Sequence, residues 1–177
     1  MKSSRMKSSH MKLATLLLAG LLLAGGAHAT DADHIRASHA WIRVLPGALP
    51  AGAYVTLEND GEKPVALRGA GSTVYAEVML HQSSRAGGMS RMAMVDALDV
   101  PAHGKAELAP GGYHLMLMQP NAPVKPGDTV TLTLQFGDGS TLATDFIARP
   151  ANALDAGDEH TDHAMPAMDH GAMPHGH

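Results

Sequence analysis

Thr129-Val130-Thr131-Leu132-Thr133-Leu134-Gln135-Phe136 alternates polar and apolar residues without a break, and Gly137-Asp138-Gly139 turns the chain into a second run, Thr141 to Ile147. A period of two sends successive side chains to opposite faces, which suits a half-buried strand and not a helix. Such a pair cannot stand alone, because its apolar face needs further strands to cover it. The chain supplies them. His39 to Val44 and Ala53 to Glu58 are strand-like, the latter closed by Asn59-Asp60-Gly61. Val65 to Arg68, Val74 to His81, Ser90 to Asp96 after a Gly87-Gly88 return, Lys105 to Leu108 and Gly112 to Met118 follow. No helical period interrupts them. Eight or nine short strands with turn signals at near-regular spacing predict an all-β sandwich or barrel. Trp41, Tyr54, Tyr75, Phe136 and Phe146 all fall in these runs, where core packing is the first expectation.

The two ends read differently. Lys2, Arg5, Lys7 and Lys12 precede an apolar run from Leu13 to Leu23, and Ala27-His28-Ala29 has the form of a cleavage site. Residues 1–29 are therefore expected to be a secretory signal peptide cut after Ala29, with Met1, Met6 or Met11 as initiator. The run is too short for a spanning helix, so stable membrane insertion is not expected. Residues 30–149 would form the β domain, with Thr30 to Ser38 as a loose polar lead-in. From 150 to 177 the chain is rich in His, Met, Ala, Gly, Pro and Asp, too poor in apolar bulk to offset chain ordering, and is expected to be a disordered tail.

Charge and composition remove several function classes. Without the leader, nine Lys and Arg face seventeen Asp and Glu, a balance of about −8. An acidic exported domain is a poor partner for nucleic acid. There is no cysteine, so neither disulfides nor thiolate ligands are available, and a lipid-anchored lipoprotein is not expected. Twelve methionines and twelve histidines are a heavy load for 177 residues.

That load has a pattern. In a strand at His114-Leu115-Met116-Leu117-Met118, started by Pro110-Gly111-Gly112, the leucines face a core while an imidazole and two thioethers face the other way. His81, at the end of the fourth predicted strand, and Met92, after the Gly87-Gly88 return, can join that face if their strands pair. Two imidazoles and two thioethers form a soft, neutral donor set, which favours Cu(I) over zinc, calcium or magnesium. Met79 and Met118 share the predicted face and could shield the site; Met94 reads as rim and Met89 as an auxiliary donor.

The spacing H-x10-M-x21-H-x-M, with Pro110-Gly111-Gly112-Tyr113-His114-Leu115-Met116-Leu117-Met118 around its second half, closely resembles the PCuAC-type periplasmic copper chaperones. Ala40-Trp41-Ile42-Arg43, Ala53-Tyr54-Val55-Thr56-Leu57 with Asn59, and Lys125-Pro126-Gly127-Asp128 extend the resemblance over about His39 to Arg149. It implies a cupredoxin-like β-sandwich or Greek-key barrel that holds Cu(I) at His81, Met92, His114 and Met116. It also implies delivery of copper to the CuA centre of cytochrome oxidase, directly or through a thiol-bearing partner. In the tail, His160, His163, Met165, Met168, His170, Met173, His175 and His177 are lesser candidates, suited with Asp162 and Asp169 to Cu(II). Copper storage or detoxification is the rival within the binding class. A blue-copper electron carrier would need a cysteine thiolate. An enzyme is not expected, since no nucleophile, base and orienting group form a recognisable set.

Overall fold

The computed structural model describes residues 29–47, 49–86 and 88–156. Residues 1–28 of the expected leader, Ala48, Gly87 and the expected tail ligands lie outside the described residues. A 3-10 turn, Asp31–His34, precedes ten strands: β1 Ile35–Arg43, β2 Ala51–Asn59, β3 Val65–Ser72, β4 Tyr75–Ala86 and β5 Met89–Met94. They continue as β6 Leu98–Val100, β7 Gly104–Leu108, β8 Tyr113–Pro120, β9 Thr129–Phe136 and β10 Thr141–Arg149. The all-β expectation holds, and β9 spans the same residues that its alternation marked.

The strands join in the order β5-β4-β8-β7-β2-β1-β10-β9-β3-β6, with β8 also pairing directly with β2. The ribbon rolls over so that β3 lies against β4 and β6 against β7. Most pairs are antiparallel, but β1 runs parallel to β10 and β7 parallel to β8. Between the layers lie Val55, Leu57, Leu67, Leu115, Leu117, Leu132, Leu134 and Phe146, all essentially sealed from solvent. Each fully buried leucine contributes about 1.5–3 kcal/mol relative to an exposed one. Asn59, the one buried amide of the described core, is satisfied: its nitrogen donates to the Lys63 and Val100 carbonyls, and its oxygen accepts from the Gly61 N–H.

Three features depart from the sequence reading. The lead-in is not loose. Asp138 accepts from the Asp31 N–H at 2.8 Å, Ser140 Oγ from the Ala32 N–H at 3.0 Å, and buried Ile35 opens β1. β6, three residues long, is an additional strand. The packed chain also runs past Pro150: buried Ala153 and its neighbour Ala156 cover Trp41 and Tyr54, and Arg149 donates to the Ala156 carbonyl at 2.7 Å. The first residues of the 150–177 segment thus belong to the folded body.

Candidate metal centre

The leucines of β8 point into the core, so His114, Met116 and Met118 must project from the opposite, outer face. Cross-strand register shows what meets them there. His81 of β4 stands directly opposite His114, and Met79 opposite Met116. On the other side Gly52 of β2 stands opposite Met116. Directly opposed residues have Cβ atoms about 4.5–5.5 Å apart, near enough for side chains to share one ion. The two imidazoles have centroids 5.8 Å apart and lie nearly edge to face, at 79°.

Met92 arrives by a different step. β4 and β5 form a hairpin in which Met92 faces Ser83, while Met94 faces His81. Met92 is therefore a diagonal neighbour of His81 on the same face, within reach of a long thioether but not directly across. Both are open to solvent, Met92 at 53% and Met94 at 68%, whereas His114 is only 5% exposed. The four expected ligands thus share one face, with a buried imidazole at its inner end and an exposed sulfur at its outer end. His81 lies within β4 rather than at its end, because the strand continues to Ala86.

The histidines are prepared as donors. His114 Nδ1 lies 3.2 Å from the Gly112 carbonyl. Donating there fixes the tautomer and leaves Nε2 with a free lone pair, the second-shell arrangement common to metal-binding imidazoles. Burial pushes the His114 imidazole below the ordinary histidine value; His81 and Arg43 nearby act in the same direction, and the Gly112 contact opposes them. His81 Nδ1 is sealed from solvent and has no hydrogen-bond partner, a cost that a bound cation would remove. Among the described residues, no group of three or more His, Cys, Asp or Glu is gathered to hold a metal. The donor set suits a soft ion.

A second row completes the inner side. Trp41 of β1 stands opposite Tyr54 of β2, with ring centroids 4.5 Å apart, and Tyr54 lies 6.4 Å from His114. Trp41, Tyr54, His114 and His81 therefore run in sequence across four strands. Arg43 donates to the Tyr54 hydroxyl and sits 5.2 Å from the ring centroid. In the sequence these residues stood out as strand aromatics and as segments of the family resemblance, but not as neighbours of the ligands. By contrast, a groove of about 580 Å³ between Val44–Gly47, Pro120–Pro126 and Pro150–Ala151 contains none of the candidate ligands.

The family model for LpqE-like proteins, described as lipoproteins, matches residues 35–147. The chain belongs to the LpqE-like family. Lxx21020 of Leifsonia xyli subsp. xyli (strain CTCB07), which also carries a lipoprotein name, is 33% identical over 111 residues, or 62% of this chain. The match spans 66% of that relative's length, just under two thirds. Among solved structures, the apo PCuAC domain of PmoF2 superposes with a TM-score of 0.56 at 25% identity, covering 68% of this chain and 94% of that domain. The Cu(I) form of DR1885 from Deinococcus radiodurans gives 0.53 at 34% identity, covering 71% and 83%. The copper-bound PCuAC domain of PmoF2, at 23% identity and 0.56, shares the fold over 70% of this chain and 98% of its own length. These likenesses support a PCuAC-type assignment for this LpqE-like chain. Its 177 residues include no cysteine. No helix among its described residues is long and apolar enough to cross a membrane.

Proposed function

We propose that this LpqE-like protein is an exported, periplasmic copper chaperone. It carries Cu(I) as cargo on His81, Met92, His114 and Met116 and delivers it for assembly of the CuA centre of cytochrome oxidase, directly or through a thiol-bearing partner. The observation that carries the reading is the placement of His81 against His114, with Met116 and Met92 one step away on the same outer face. The likeness to the Cu(I) form of DR1885 supports the metal and its oxidation state. Two neutral imidazoles and two thioethers leave a bound monovalent ion with little net charge to bury, and thioethers disfavour the divalent state. The exposed thioether end gives an acceptor access without unfolding the domain, while the buried His114 end fixes the geometry.

In this reading the tail residues His160, His163, Met165, Met168, His170, Met173, His175 and His177 form a separate capture segment for Cu(II). A chain loaded at both places would also serve copper storage or detoxification, the alternative favoured by the tail's composition.

Competition with a Cu(I) chelator tests the site. One Cu(I) should bind tightly, and Met116→Ala should weaken it by at least tenfold, about 1.4 kcal/mol, with the far-ultraviolet circular dichroism unchanged. Unchanged affinity would remove Met116 from the ligand set. Transfer from loaded chain to a purified apo CuA domain tests delivery; retention of the ion against that acceptor would favour storage.

A further inference from the structure

Arg43, Gly52, Met116 and Met79 occupy one rung across β1, β2, β8 and β4. Nothing in the proposed ligand set explains why the inner end of this rung carries a guanidinium. Its seat is built with care. The Tyr54 ring is 3% exposed, held between Trp41 and His114, and its hydroxyl lies over the backbone of Gly52. A Cβ at Gly52 would meet that hydroxyl at 2.7 Å. The missing side chain at Gly52 thus lets the phenol lie flat, and the phenol in turn accepts from Arg43 and offers its ring face to the cation. A charge-assisted hydrogen bond and a cation–π contact together hold a long, otherwise mobile side chain in one place.

We propose that Arg43 is a charge filter for the metal face: a fixed guanidinium, seated by Tyr54 and Gly52, that disfavours a divalent ion there more than a monovalent one. The inference rests on the reading that His81, Met92, His114 and Met116 hold the ion. Its basis is that Coulomb repulsion scales with charge. Two unit charges about 10 Å apart at a near-surface effective dielectric of about 20 repel by roughly a factor of ten in an equilibrium constant. A Cu(I) ion feels that penalty once and a Cu(II) ion twice. The filter therefore weakens the hold on the cargo modestly, which suits a protein that must release it, and tilts the oxidation state toward Cu(I).

The prediction has an unusual sign. Removing a residue that merely supports the site loosens binding; removing Arg43 should tighten it. In the full chain, Arg43→Gln should raise Cu(I) affinity by up to about tenfold, measured by chelator competition, and Cu(II) affinity by more. The copper reduction potential should fall by up to about 59 mV, the equivalent of a tenfold shift for a one-electron couple. Arg43→Lys, which keeps the charge, should hold the potential close to that of the unaltered protein. The tail is common to all these proteins and cancels in the comparison. Should Arg43→Gln fold poorly by thermal unfolding, Arg43→Met keeps the apolar stem and carries the same prediction. A Cu(I) affinity that falls, or a potential that stays put while the unaltered chain binds Cu(I) normally, overturns the filter. An unaltered chain that binds no Cu(I) overturns the reading beneath it instead.

Discussion

Gly52→Ala isolates the seat of the Tyr54 ring in one methyl group. Gly52 does not have a positive φ, so an alanine there is conformationally acceptable. Taken alone, the exchange should stabilise the strand by about 0.5–1 kcal/mol, through lower entropy in the unfolded chain. The space argues the other way. The new Cβ would lie 2.7 Å from the Tyr54 hydroxyl, 3.2 Å from Cζ and 3.5 Å from Cε2. The phenol is a rigid plate, boxed by Trp41 and His114 and tied to Arg43, so it cannot swing aside cheaply. Overpacking of this kind costs about 1–3 kcal/mol, and disturbing a hydrogen bond to a charged group costs a share of about 1.5–3 kcal/mol. The clash wins, leaving a net loss of about 2 kcal/mol, or roughly 6–10 °C in melting temperature for a domain of this size. Thermal unfolding of the metal-free protein measures it. The decisive control is the same substitution in a Tyr54→Phe background. There the nearest atom is removed, and Gly52→Ala should cost little or stabilise, so the double-mutant cycle should show strong coupling. Additive effects, or a stabilised single variant, would refute the argument that Gly52 exists to admit the phenol.

Three further outcomes are expected. Leu117→Ala, at a fully buried β8 position behind the metal face, should destabilise the fold by about 2–5 kcal/mol, read by denaturant unfolding. The metal-free domain should lose stability as the pH falls below about 6.5: burial holds the His114 pKa under the ordinary histidine value, so the unfolded chain takes up its proton first, and the contribution present above pH 6.5 drains away until the folded histidine also protonates. His114→Gln should flatten that part of the stability–pH curve. Truncation after Ala156, which spares the packed residues against Trp41, should abolish most Cu(II) uptake while one Cu(I) still binds; unchanged Cu(II) stoichiometry by equilibrium dialysis would make the tail histidines incidental.

Period-two patterning carried the strands wherever one face is buried and the other wet, as in β9 and β8. It failed where local signal is short or where the backbone leaves regularity. Leu98-Asp99-Val100 is too brief to display a period, and β6 exists because it pairs with β3. His39, with φ of 52°, sits within an irregularity between Ser38 and Trp41 that shifts the phase of β1; no alternation count across it could assign Trp41 to the outer face. His114 and Met116 could be placed on one face from alternation alone, whereas His81 and Met92 joined them only on the condition that their strands paired. The diagonal position of Met92, and the direct opposition of Met94 to His81, depend on the β4–β5 register that runs to Ala86 opposite Met89, which the apolar pattern of an exposed strand does not set. Arg43 and Tyr54 were hidden for a related reason. Their partnership crosses two strands and requires an absent side chain at Gly52, a feature that looks like weakness in a strand until the neighbour occupying the space is known.

The parallel contact of β1 with β10 has a consequence for how the domain comes into being. Ribosomes release a polypeptide from its amino end, yet here β1 has β10 as its parallel neighbour: Trp41 pairs with Ile147, 106 positions further on. Closing so distant a pairing carries its entropic penalty before any reward, which makes maturation slow and nearly all-or-none. A nascent molecule still missing β10 presents β1 with a bare edge and cannot seal its interior. The β1–β2 pair can form early, but topology delays the sealing of the interior until β10 has emerged.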